Sequence, residues 1–219
     1  SACLVGSEMC IRDSNAPGPK VTHAQFEQLL SQIRRTTNDD IVIVAGSVPN
    51  SISSDAYAQI AQITEKTGAQ LVVDAEKDLV ETVLPYRPLF IKPNKDELEV
   101  MFNTTVKSDE DVIKYGKEIL KKGAQSVIIS LGGDGAIYVD QHQSIKAVNP
   151  QGHVVNTVGS GDSTVAGMVA GLSMGLNIDE AFQQAVASGT ATAFSEDLAT
   201  RDAIENIKSQ VTISVLDGE

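Results

Sequence analysis

Tryptophan is absent from this 219-residue chain and aromatic residues make up only 4% of it, so any core must be built from aliphatic side chains. Cysteine is nearly absent too: Cys3 and Cys10 both fall in the first ten residues. A disulfide framework is thereby excluded for the rest of the chain, and a reducing cytoplasm is the expected compartment. The three histidines, His23, His142 and His153, are scattered without ligand spacing, which points to surface positions rather than metal ligands. No apolar run approaches a bilayer span and no basic-then-apolar leader opens the chain, so no membrane anchor is expected. Positive charge is scarce, with 17 Lys and Arg against 29 Asp and Glu and a net charge of −12. Nucleic acid and anionic membranes need clustered cations and are poor partners for such a surface. An anionic small molecule needs only one local positive site and is not excluded. What remains is ordinary globular composition, 42% apolar and 21% charged, long enough for one sizeable core or two small ones.

Residues 1–14, SACLVGSEMCIRDS, show neither a helical nor a strand period and run into the turn cluster Asn15-Ala16-Pro17-Gly18-Pro19. They read as a foreign or disordered segment, separate from residues 15–219. From Thr22 the pattern becomes regular. Thr22 and Gln25 have capping-box spacing, and Phe26, Leu29, Leu30 and Ile33 follow at helical intervals. The run Ile41–Ala45, ended by Gly46, predicts a strand buried on both faces. A helix is expected over about 54–67 with Gly68 to stop it, then strands at 71–74 and 89–91, a helix from about Asn94, a helix over about 108–122 and a strand at 127–130. Four apolar strands alternating with helices predict a parallel α/β sheet. Beyond Gly135, two extended stretches at 136–140 and 144–148 predict antiparallel strands, and helices over about 162–174 and 179–194 close the main body. This is a layered sandwich of the Rossmann or flavodoxin kind, and the fold alone assigns no chemistry.

Four segments carry candidate chemistry. In Val158-Gly159-Ser160-Gly161-Asp162-Ser163-Thr164, glycines precede a helix made almost entirely of small and apolar residues. Such a helix is buried on most sides, so its free N–H groups and positive dipole end open inside the protein as an anion site. Asp162 stands at that opening, either as a helix cap or as a functional carboxylate. The segment is no Walker loop, lacking a Lys, and no dinucleotide fingerprint, because Thr164 takes the last glycine position. In Lys92-Pro93-Asn94-Lys95-Asp96-Glu97, after a strand, Asn94 and Glu97 have capping-box spacing and equally offer hard oxygens to a hydrated Mg²⁺. The three glycines Gly132, Gly133 and Gly135, again after a strand, suit a tight hairpin or a close backbone approach to a nucleotide. Ser47, after the first strand, could donate to a substrate phosphate or close a loop turn.

Together, VAGSVP (44–49), IKPNKDELE (91–99), SLGGDGA (130–136) and VNTVGSGDSTVAG (155–167) resemble, in order, the landmarks of the ribokinase-like carbohydrate kinases, the PfkB family. ATAFSEDLATRD (191–202) and IKPNKDELEVMF (91–102) are most similar to its 1-phosphofructokinase branch, with the tagatose-6-phosphate kinases next. The resemblance implies a ribokinase-like α/β sandwich with a mostly parallel central sheet, and residues 15–219 as the ATP-binding core of a sugar kinase. It implies ATP and Mg²⁺, a sugar phosphate as acceptor (fructose 1-phosphate first), and allows a homodimer of the complete protein. It further implies Asp162 as catalytic base, and Gly159, Ser160 and Gly161 as anion hole. Lys92, Ser130, Gly132, Gly133 and Gly135 fall to ATP, with Ala187 and Gly189 beside its adenine. Asn94 and Glu97 fall to the metal, and Ser47 to the sugar phosphate. Family members begin with a central strand, lid strands and a sugar pocket that have no counterpart here, which implies an incomplete chain. A nucleotide-binding fragment without turnover is therefore the rival reading. A Rossmann dehydrogenase is a third, without its glycine fingerprint.

Overall fold

Local signals decide where the helices begin and end. Thr22 and Gln25 form the expected reciprocal cap in front of α1 (His23–Ile33), which turns Phe26, Leu30 and Ile33 inward. Gly68, left-handed at φ 82°, stops α2 (Ala56–Thr67). These belong to a computed structural model that describes residues 20–218. The expectations for residues 1–14, the turn cluster at 15–19 and the two cysteines lie outside it. The other elements are β1 (Ile41–Ala45), β2 (Gln70–Asp74), α3 (Lys77–Val83), β3 (Phe90–Ile91), α4 (Lys95–Phe102), α5 (Asp109–Lys122), β4 (Ser126–Ser130), β5 (Ala136–Val139), β6 (Gln143–Val148), α6 (Ser160–Ser173), α7 (Ile178–Ala193), α8 (Arg201–Lys208) and β7 (Thr212–Gly218).

The seven strands form one sheet in the order β1-β2-β3-β4-β5-β6-β7. Strands β1 to β4 pair in parallel, as their helical crossovers require. From β4 onward the pairing is antiparallel. The switch depends on Gly135, at φ 93°, where a Cβ would lie 1.9 Å from the Ala147 carbonyl oxygen. Strand alternation then divides the core in two. Leu71, Val73, Ile91, Val127 and Ile129 face α1, α2 and α5, with Ile60, Leu30 and Ile119. Val72, Phe90, Ile128, Tyr138 and Ile145 face α6 and α7, with Met168, Phe182 and Ala185. The result is the expected α/β sandwich with a mostly parallel sheet. No helix among the described residues is long and apolar enough to cross a membrane.

Two expectations need correction. Strand β1 is not buried on both faces: Ile43 is 45% exposed. Among the described residues β1 pairs only with β2 and stands at the edge of the sheet. The closing helix and strand, α8 and β7, were not foreseen. Thr200 caps α8 by accepting from the Ala203 N–H, Ile204 and Ile207 pack on the second core, and β7 pairs with β6 across a bulge at Ser144/Ile145.

Candidate active site

Strands β2, β3 and β4 all point their C-terminal ends at the same place, where ligands collect in open parallel sheets. Asp74 ends β2, Lys92 follows β3 and Ser130 ends β4. There they meet the N-terminus of α6 across a cleft of about 820 Å³. Of the residues singled out from the sequence, Lys92, Asn94, Glu97, Ser130, Gly132, Gly133, Gly135, Ser160, Gly161, Asp162 and Gly189 all line it. A smaller cleft of about 340 Å³ between α1 and α2 contains none of them.

Helix α6 reaches this position because small residues let it lie hard against α7. A Cβ on Gly167 would sit 2.6 Å from Ser188 Oγ and 2.9 Å from both Ala185 Cα and the Gln184 carbonyl oxygen. One on Gly171 would sit 2.8 Å from Ala181 Cα, and one on Gly189 only 2.2 Å from Thr164 Oγ1. Hydrogen bonds complete the seam: Thr192 Oγ1 donates to Ser163 Oγ at 2.9 Å, and Val155 N–H to the Ala193 carbonyl at 2.8 Å. Asn149 ties the neighbouring walls together. It accepts from Thr190 Oγ1 at 2.8 Å and donates to the Gly132 carbonyl at 3.1 Å.

The N-cap of α6 is Gly159, left-handed at φ 80°, and it offers no side chain. Asp162 sits in the first turn, exposed to the cleft, and its carboxylate makes no hydrogen bond among the described residues. It is not the helix cap. The Ser160 N–H donates to the Thr157 carbonyl at 3.2 Å and the first intrahelical bond is from Ser163 N–H to the Gly159 carbonyl. Among the described residues, the N–H groups that remain for an anion are therefore those of Gly161 and Asp162, rather than that of Ser160. Ser160 Oγ is buried and finds no hydrogen-bond partner among the described residues.

Beneath this turn lies an ion pair. Lys92 Nζ is 3.1 Å from Asp74 Oδ2, with side chains 7% and 18% exposed. A Cβ on Gly161 would lie 3.2 Å from that Nζ, so the glycine lets the ammonium tuck under α6. Burial pushes the Asp74 carboxyl above its ordinary range; Lys92 opposes the shift, and Asp162 adds to it. Nearby, Tyr57 donates to the Gly46 carbonyl at 2.8 Å, and burial, helped by the Asp74 charge, pushes its phenol up to about 12.

Asn94 and Glu97 form both halves of a capping box for α4: Glu97 N–H donates to Asn94 Oδ1, and Asn94 N–H to Glu97 Oε2, each at 2.8 Å. The cap leaves Glu97 Oε1 without a hydrogen bond among the described residues, and Asn94 and Glu97 both line the cleft. No group of three or more His, Cys, Asp or Glu suited to a metal occurs among the described residues. The donor set is one carboxylate and one amide oxygen, hard ligands that fit Mg²⁺ completed by water and phosphate.

Three candidates are not brought into the cleft wall. Ser47 is exposed beyond the end of β1, Gly159 lies against Leu198, and Ala187 is fully buried in the core. At that turn of α7 the wall is Val186, Gly189 and Thr190. Residues not singled out from the sequence include Asp74, Asn149 and Phe194, whose ring packs on Gly152. The signal for Asp74 is its place directly after the apolar run Leu71–Val73, at the end of a strand.

Residues 11–203 match the pfkB family carbohydrate kinases. The chain is 38% identical over 202 residues to the 1-phosphofructokinase of Bacillus subtilis, covering 92% of this chain and 67% of that one. It is 34% identical over 200 residues to the D-tagatose-1-phosphate kinase of Bacillus licheniformis, covering 91% and 66%. A solved structure from Staphylococcus aureus, provisionally named a phosphofructokinase, superposes with a TM-score of 0.90 at 80% identity, over 94% of this chain and 67% of its own. The chain thus spans about two thirds of the length of these relatives.

Proposed function

This chain belongs to the pfkB family of carbohydrate kinases, and from that membership we propose that it transfers the γ-phosphoryl group of ATP to a ketohexose phosphate, turning fructose 1-phosphate into fructose 1,6-bisphosphate. The observation that carries the reading is the unbonded Asp162 carboxylate, set beside two free N–H groups at the start of α6 and above the buried Lys92 ammonium. In this reading Asp162 accepts the proton of the sugar hydroxyl as its oxygen attacks the γ-phosphorus. The bond from that phosphorus to the bridging oxygen breaks, and ADP leaves with the electron pair. Phosphoryl transfer asks chiefly for alignment and charge neutralisation. The Gly161 and Asp162 N–H groups, the α6 dipole and Lys92 supply both at the transferring oxygens. Glu97 and Asn94 would hold Mg²⁺, which brings further positive charge to the polyphosphate. Ser130 takes phosphate, Gly132, Gly133 and Gly135 give the nucleotide close backbone approach, and Gly189 with Val186 and Thr190 walls the base. Ser47 is reserved for the phosphate of the sugar.

Tagatose phosphates are the second substrate class, since a relative named for one is 34% identical. The rival without turnover, nucleotide binding alone, draws on Ser47 lying outside the cleft wall. Calorimetry with ATP, followed by coupled ADP release with fructose 1-phosphate, fructose 6-phosphate, tagatose 1-phosphate and tagatose 6-phosphate, separates these readings. Sugar-dependent ADP release that falls ~10²–10⁴-fold in a folded Asp162→Asn variant is expected. Binding with no release on any sugar favours the rival, and absence of ATP binding sinks both.

A further inference from the structure

The ammonium of Lys92 is held by one partner. Its side chain is 7% exposed, its only ion pair among the described residues is with Asp74, and Gly161 of α6 closes over it. A lysine is a point charge on a flexible four-carbon stem, so nothing in Lys92 itself fixes where that charge stands. Asp74, by contrast, is fixed by the sheet. It is the last paired residue of β2, opposite Ala45, and its carbonyl accepts from Gly46 N–H at 2.9 Å. The Lys92 backbone N–H donates to the adjacent Val73 carbonyl at 3.2 Å, so the two side chains leave neighbouring strand ends in register.

We infer that Asp74 is a positioning residue, holding the Lys92 ammonium beneath the first turn of α6 so that this charge and the Gly161 and Asp162 N–H groups address one phosphate. The inference rests on the kinase reading above and adds to it a residue that does not itself touch the nucleotide. Its force lies in a sign. Asp74 pairs with the Lys92 ammonium and feels the negative charge of Asp162, and all three residues line the same cleft. If Asp74 acted by charge alone, removing it would make the site more positive and tighten the binding of a polyphosphate. If it acts by holding Lys92, removing it must weaken that binding.

Calorimetry on the full chain with ATP, AMP and inorganic tripolyphosphate reads that sign in Asp74→Asn, Asp74→Glu, Lys92→Met and the Asp74→Asn/Lys92→Met pair. Asp74→Asn is expected to weaken ATP and tripolyphosphate ~10-fold or more, the scale of one charged hydrogen bond, while leaving AMP unchanged. Lys92→Met should lose a similar amount, and the paired variant no more than either. Asp74→Glu keeps a carboxylate but moves the ammonium, so it should lose less than Asp74→Asn, and only on the polyphosphates. Tighter or unchanged ATP binding in Asp74→Asn, or losses that add in the paired variant, overturns the inference. Should Asp74→Asn fail to melt cooperatively, Asp74→Glu decides: an equal loss on ATP and AMP overturns it. A wild-type chain that binds tripolyphosphate but not ATP refutes the kinase reading, and the same comparison on tripolyphosphate still judges Asp74. Binding of neither overturns both.

Discussion

Replacing Gly167 by alanine should destabilise the protein, although Gly→Ala inside a helix ordinarily stabilises it. The intrinsic gain is about 1 kcal/mol. Against it stands the seam between α6 and α7. The added Cβ would fall 2.6 Å from Ser188 Oγ and 2.9 Å from Ala185 Cα and the Gln184 carbonyl oxygen. Ordinary contacts of such atoms lie at about 3.5–4.0 Å. The Ser188 hydroxyl can rotate away at the loss of its bond to the Gln184 carbonyl; the two backbone atoms cannot. The helices must part by roughly half an ångström or more, and overpacking of this kind costs about 1–3 kcal/mol. A net loss of up to about 2 kcal/mol follows, read from urea melts of wild type and variant at matched slope. Adding Ser188→Ala removes the 2.6 Å contact alone and should recover only part of the loss. Because α6 also carries Asp162, displacement of the helix should lower sugar-dependent turnover by more than it lowers AMP affinity. A stabilised Gly167→Ala protein would show that the seam is looser than described and would remove the packing explanation for where Asp162 sits.

Glu97→Gln preserves an acceptor for the Asn94 N–H, so helix α4 should keep its stability within about 0.5 kcal/mol while Mg²⁺-dependent turnover falls more than metal-free nucleotide affinity; a stability loss with an unaltered Mg²⁺ response would leave only the cap. Tyr57 keeps its proton in the folded state up to about 12, whereas the ordinary phenol loses it near 10. Its contribution is fully present below pH 10 and is lost as pH rises through 12, on the order of 2–3 kcal/mol; melts between pH 9 and 11.5 should steepen for wild type relative to Tyr57→Phe, and parallel curves would contradict the burial. Ile43→Lys places a charge on the exposed face of the β1 edge; it should slow aggregation on concentration, by light scattering, with a melting shift within about 0.5 kcal/mol, and faster aggregation would show that face to be packed.

Features set by neighbours in sequence were legible. The Thr22–Gln25 and Asn94–Glu97 boxes and the Gly68 stop depend on a few adjacent residues, and each appears where its spacing puts it. Apolar runs located β1 to β4 for the same reason. Pairing across strands was not legible. Asp74 looked like the polar end of a strand, and only the register that sets Val72 opposite Phe90 and Val73 opposite Ile91 brings it to Lys92. Membership in a glycine-rich segment likewise could not say which N–H is free; the turn that engages Ser160 with Thr157 decides it. Ala187 lies one step from the cleft wall, and a 3.6-residue period with boundaries uncertain by a residue or two cannot tell wall from core. Strand β1 carried the composition of a doubly buried strand because composition records side chains, not which neighbour is present.

Strand order in this sheet is also the order of synthesis, so no strand has to be inserted between two already paired. β2, β3 and β4 each pair with their predecessor in the chain, and the crossover that brings each there is a single helix or a pair of them. Among the described residues the longest connection between paired strands runs from Val148 of β6 to Thr212 of β7 and carries α6 through α8. Closure entropy grows slowly with loop length, but contacts this far apart in sequence still form late. The helix that bears Asp162 therefore lies inside this long connection, and its place over the cleft-facing strand ends depends on side-chain packing against the sheet rather than on strand pairing.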